Sequence, residues 1–116
     1  MILVEKYFIN GSTIEIEFAD NFFARLRGLM FRRQLAEGCG LLLAPCNSVH
    51  MFFMRFAIDV VYLDKDFRIK KIVRDLTPWL GMSVCFGAWG ALELPSGEAE
   101  RLKLVVGQKF TKNLLV

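Results

Sequence analysis

The sequence predicts a mostly β fold: a compact antiparallel β-sandwich or barrel-like domain with one prominent α-helix. Three observations predict it. Short runs of β-branched and aromatic residues recur along the chain, separated by Gly, Pro, Asn and Asp turn signals. One stretch, from about residue 20 to residue 33, spaces its apolar residues as a helix does. The 116 residues, 54% hydrophobic and 23% charged, have the size and composition of one globular domain spanning 1–116.

LVEKYFI and STIEIEFA flank Asn10-Gly11. That dipeptide accepts the two positive φ angles of a type I′ turn, so the two runs form a hairpin. Ile14, Ile16 and Phe18 alternate with Glu15 and Glu17, which gives the second strand one buried and one wet face. Asp20 then opens DNFFARLRGLMFRRQL as a helix cap, because its carboxylate can accept a bond from a first-turn N–H. Phe22, Phe23, Leu26, Leu29 and Met30 share one stripe of that helix. Its arginines, Arg25, Arg27, Arg32 and Arg33, make a basic surface. Gly38 and Gly40 bracket a loop that feeds the short apolar strand GLLLAP.

VHMFFMRF alternates in strand fashion, and IDVVYL is nearly all β-formers. Asp64-Lys65-Asp66 is a turn, and FRIKKIV returns as a strand. RDLTPWLGMSV reads as a loop, FGAWGALELP as a strand stopped by Pro95, GEAERLKL as a short helix or turn, and QKFTKNLLV as a last strand. The count is about seven or eight short strands, spaced as in sandwiches and barrels.

Composition narrows the function classes. A net charge of +3 is mild and gives no strong sign of a nucleic-acid partner. No apolar run approaches the ~20 residues that span a bilayer, and the N-terminus lacks a signal-peptide core. Cys39, Cys46 and Cys85 are odd in number and form no CxxC pair, which points to thiols in a reducing compartment. The expectation is a cytoplasmic protein with no membrane segment.

RLRGLMFRRQL, GCGLLLAPCNSVHMFFMRFAIDVVYLDKD, LTPW and GALELPSGEAERLKLVVGQ together resemble the DUF192 family, small bacterial and archaeal domains of uncharacterised function. The resemblance covers about Phe18 to Phe110. It implies a compact β-sandwich-like domain with one prominent helix, and it brings no accepted activity or cofactor. Three positions depart from the family pattern. Met51 stands where threonine is common, Ala57 where proline is common, and Phe67 where a turn glycine is usual. The last leaves the turn type open.

The candidate site surrounds VHMFFMRFAID. His50, the only histidine, titrates near neutrality when unperturbed and could act as an acid or base. The plainer reading is a partly buried histidine bonded to a neighbour. Arg55 and Asp59 are charges in an apolar run, where each needs a partner. A structural Arg55–Asp59 pair is favoured over an arginine that holds a ligand's carboxylate or phosphate. A Cys46/His50 dyad is an alternative to a buried thiol. His50, Met51, Met54, Cys39 and Cys46 are soft donors toward Cu(I), against core filling by the methionines. Zinc spacings are absent. Trp79 could cover a pocket or plug a sandwich end.

The favoured function is the binding of a small polar or anionic small-molecule ligand in a pocket lined by Asn47, His50, Arg55, Asp59 and Trp79. One alternative is an enzyme with His50 as acid–base, supported by Asp59 or Cys46. Another is an interaction module that uses the basic helix face.

Overall fold

The computed structural model describes residues 3–19 and 35–112. Among these residues, nine strands and one short helix follow in order: β1 (Leu3–Ile9), β2 (Ser12–Ala19), β3 (Cys39–Leu43), β4 (Ser48–His50), β5 (Ile58–Leu63), β6 (Ile69–Leu76), β7 (Met82–Val84), β8 (Gly90–Pro95), α1 (Glu98–Arg101) and β9 (Thr111–Lys112). Seven strands form one curled sheet in the order β6-β5-β8-β3-β2-β1-β9, while β4 and β7 pair as a separate ribbon. The fold is mostly β, as its sequence predicts. The expected helix from Asp20 to Arg33, with its arginine face, lies outside the described residues.

The first hairpin forms for the reason its turn dictates. Asn10 and Gly11 have φ of 51° and 77°, the left-handed values of a type I′ turn, and Ile9 pairs with Ser12. Asn10 also fastens the turn to the far end of the chain. Its side-chain amide donates to the carbonyls of Leu102 and Lys103.

The sheet departs from the antiparallel expectation at one seam. β2 runs parallel to β3, with Glu15 beside Cys39 and Ala19 beside Leu43. A parallel pair cannot be joined by a tight turn, which a hairpin reading of neighbouring strands does not foresee.

The central strands β3, β5 and β8 are covered on both faces, so they read as apolar runs rather than alternating ones. Against one face lie Leu42, Val61, Leu63, Leu92 and Leu94, with α1 and Phe110 above them. Against the other lie Leu41, Leu43, Val60, Tyr62 and Ala91, beneath Val49, Met51 and Met54. Ile14 and Ile16 are buried as expected, and Phe18 is half-buried.

Phe67 takes the left-handed turn position itself, at φ 65°. A phenylalanine there is strained. Its ring compensates by stacking on Tyr7, with centroids 4.8 Å apart and planes 10° from parallel, and by touching Phe18 and Trp89. Among the described residues no helix is long and apolar enough to cross a membrane.

Candidate functional site

The VHMFFMRFAID segment divides into an anchored half and an exposed half. Asp59 belongs to the first. It lies in β5 and is 1% exposed. Its Oδ1 accepts the Asp75 N–H at 2.8 Å, and its Oδ2 accepts the N–H groups of Gly97 at 3.1 Å and Ala99 at 2.9 Å. The β5–β6 register slips between Ile58 and Val60, and Asp75 sits in that irregularity with φ 55°. Gly97, the residue before α1, stands at its N-cap with no side chain to cap the first turn; the Asp59 carboxylate supplies the acceptor from β5.

The structure therefore corrects the expected Arg55–Asp59 pair. Asp59 is held by backbone amides of three separate residues, and Arg55 is exposed on the loop before β5. Among the described residues Arg55 forms no ion pair with it.

A second buried carboxylate stands close by in the fold. Glu98 is 3% exposed. It receives Arg101 through Nε at 2.5 Å and Nη2 at 2.9 Å, and the Gly38 N–H at 2.9 Å. The Arg101 guanidinium is the main reason the Glu98 carboxyl lies below its usual range. This clamp ties α1 to the start of β3.

The exposed half carries the aromatic residues. The expected strand through VHMFFMRF ends at His50. Beyond it the Met51 N–H bonds the Gly81 carbonyl at 3.0 Å, and the Met51 carbonyl accepts from Trp79 at 2.8 Å and from Met54 at 3.0 Å. Met51 and Met54 are both buried, so this loop is seated on the core by its two methionines. The fit leaves no room at Gly81. A Cβ there would stand 2.4 Å from the Thr77 carbonyl oxygen and 2.9 Å from Met51 Cγ.

Large apolar side chains of this loop and of the chain flanking β7 face outward. Phe52, Phe53, Trp79, Leu80, Met82 and Phe86 are all more than two-fifths exposed. Phe53 and Trp79 touch edge-on, with centroids 5.3 Å apart and planes at 64°. Both have left-handed backbones, with φ of 64° and 67°. The His50 ring is 5.4 Å from Phe52.

Of the residues expected to line one pocket, His50 and Trp79 share this ribbon end with exposed Arg55 nearby in the chain. Asn47 is exposed at the opposite end of β4, about 10 Å along the strand from His50. Asp59 is in the core. The Cys46/His50 dyad is not formed, since the Cys46 thiol donates to the Ser48 carbonyl at 3.0 Å. The soft-donor set does not converge either. Met51 and Met54 are core residues, His50 is outside, and Cys39 sits beside Glu15 in the main sheet. Among the described residues, no group of three His, Cys, Asp or Glu is placed to hold a metal ion.

Open grooves lie elsewhere among the described residues. One runs between Pro45, the Asp64–Asp66 turn and Trp89, and another beside Cys39 between Glu15 and Glu17. Sequence reasoning missed Phe52, Phe53, Leu80 and Met82 as surface residues. The stretch RDLTPWLGMSV, expected as a loop, begins with the end of β6 and closes with β7, and only the residues around Pro78 and Gly81 between them turn.

Known proteins extend these observations. The DUF192 family model, "Uncharacterized ACR", matches residues 6–111. A UPF0127 protein of Pyrococcus furiosus is 38% identical over 109 residues, covering 89% of this chain and 90% of that protein. A UPF0127 protein of Pyrococcus horikoshii is 34% identical over 99 residues, with 83% and 85% covered. A crystal structure of a provisionally assigned transcription regulator from Sinorhizobium meliloti matches with a TM-score of 0.85 at 23% identity, covering 96% of this chain and 95% of that one. At that identity the likeness shows the fold alone. The chain belongs to the DUF192 family.

Proposed function

We propose that the protein is a small-molecule-binding domain of a reducing, cytoplasmic compartment. Its binding face is the outer end of the β4–β7 ribbon, and its ligand is a small anionic ring compound. The observation that carries this reading is the Phe53–Trp79 pair. Two non-glycine residues held left-handed cost on the order of 1 kcal/mol or more each. Here the strain holds two large aromatic side chains half in water, where they add little to folding. Strain kept at an exposed aromatic pair marks a surface shaped for contact with something else. The ring faces offer stacking, and Arg55 offers a planar cation for a carboxylate or phosphate. His50, beside Phe52, adds a second donor.

The enzyme reading is weaker, because Asp59 and Cys46, its two supporting groups, are engaged elsewhere. The basic helix face of the interaction reading lies outside the described residues.

Trp79 and Trp89 are the two tryptophans, so fluorescence tests the face directly. The wild type and Trp89→Phe should show saturable quenching by at least one member of a panel of aromatic and cyclic carboxylates and phosphates. Trp79→Phe should lose the signal, and Arg55→Gln should weaken binding about tenfold. Absence of saturable binding across the panel, or equal affinity of Arg55→Gln measured by calorimetry, overturns the proposal.

A further inference from the structure

The opposite end of the same ribbon gathers a different chemistry. The ladder that pairs Ser48 with Val84 runs one residue past both strands, where the Cys85 N–H donates to the Asn47 carbonyl at 2.8 Å. Cys46 is therefore the diagonal neighbour of Cys85. Strand rise and pair spacing put two such Cα atoms roughly 6 Å apart, within the span that a disulfide bridges. In a regular ladder, diagonal neighbours face opposite sides. Here both residues lie past the strand ends, and both side chains pack against the one buried cluster that contains Tyr62.

Tyr62 reports the same convergence. Burial first, and then the charge either thiol would carry, push its hydroxyl above the ordinary tyrosine range, against the pull of the Ser83 hydroxyl. Both thiols are half-buried, so a small oxidant reaches them. Cys39 is set apart in β3 beside Glu15. Burial, and then Glu15, Glu98 and Glu17, push its thiol up and reduce its thiolate fraction.

We propose that Cys46 and Cys85 are a redox-sensitive pair that closes to a disulfide across the foot of the β4–β7 ribbon when glutathione disulfide accumulates. One cysteine thiolate attacks a sulfur of glutathione disulfide, forming a mixed disulfide and releasing one glutathione thiolate. The second cysteine thiolate attacks the protein sulfur of that mixed disulfide and releases the second glutathione. The two cysteines give up two electrons, one glutathione disulfide becomes two glutathiones, and the two thiol protons pass to the released thiolates. The bond would lock β4 to β7 at the end away from Phe53 and Trp79. This inference does not depend on the proposed ligand.

The folded protein is incubated with glutathione disulfide, quenched in acid, alkylated and analysed as an intact mass and by peptide mapping. The wild type and Cys39→Ser should each lose two alkylatable thiols without gaining glutathione or forming dimers, and the linked peptides should contain Cys46 and Cys85. Cys46→Ser and Cys85→Ser should instead retain glutathione as a stable mixed disulfide. The same incubation in urea should scramble the pairing, which separates folded proximity from intrinsic reactivity. Retention of all three thiols by the folded wild type, a pair that includes Cys39, or a wild type that stops at the glutathione adduct overturns the proposal.

Discussion

The two halves of one short segment are built on opposite principles. Asp59 meets its own polar demand inside the protein. One carboxylate closes the irregularity at Asp75, caps α1 and joins β5 to both. Around Phe53 and Trp79 the chain is no less ordered by backbone bonds, yet its large apolar side chains face water and its backbone is strained. The first region is organised for stability. The second spends stability on a surface. The difference sets the proposed binding face at the large apolar side chains that the core leaves in water, away from the most buried charge.

The comparison breaks most readily at Asp59. Asp59→Ala removes the carboxylate and strands the buried Ala99 N–H together with the part-buried N–H groups of Asp75 and Gly97. Chemical denaturation should show a loss of about 3–5 kcal/mol, a large share of a small domain's stability. Arg55→Met should change stability by less than about 0.5 kcal/mol, as surface substitutions do. The double mutant should equal the sum, with a coupling energy near zero. A coupling above about 1 kcal/mol would restore the ion pair and undo the division into two halves.

Glu98 sharpens it next. Its folded carboxyl is depressed by Arg101, so its stabilisation is present above the unfolded glutamate range near pH 4.5 and is lost as pH falls through the folded value. Glu98→Gln should cost about 1–2 kcal/mol at neutral pH. It should also flatten the acid limb of the stability curve below pH 4.5. An unchanged acid limb in urea melts across pH would show that the α1 clamp contributes nothing.

The smallest effect on stability belongs to the aromatic face. Trp79→Ser should leave the denaturation midpoint within about 0.5 kcal/mol of wild type, or raise solubility, because the ring is half in water. A loss as large as that of Asp59→Ala would make Trp79 a core plug and remove the case for a binding face.

What the sequence determined by itself was local. Asn10-Gly11 accepts left-handed φ whatever surrounds it, so the first hairpin was legible. The apolar runs GLLLAP and IDVVYL were legible as strands, because burial on both faces leaves no other composition. It was also plain that Asp59, inside such a run, needs a partner. Tertiary structure alone decided which partner. The donors are backbone N–H groups at residues 75, 97 and 99. Every non-proline residue carries the same N–H, so such a donor leaves no mark in a sequence, whereas an arginine a few positions away invites a pairing that does not form. The same holds for the parallel seam of β2 with β3, whose pairing is between strands apart in sequence. It holds again for VHMFFMRF, whose alternation fits a strand. The chain turns after His50 because the backbone of Met51 bonds to Trp79 and Gly81, about thirty residues on. Long-range backbone hydrogen bonds and close packing decide such matters, and they exist only once the chain has folded.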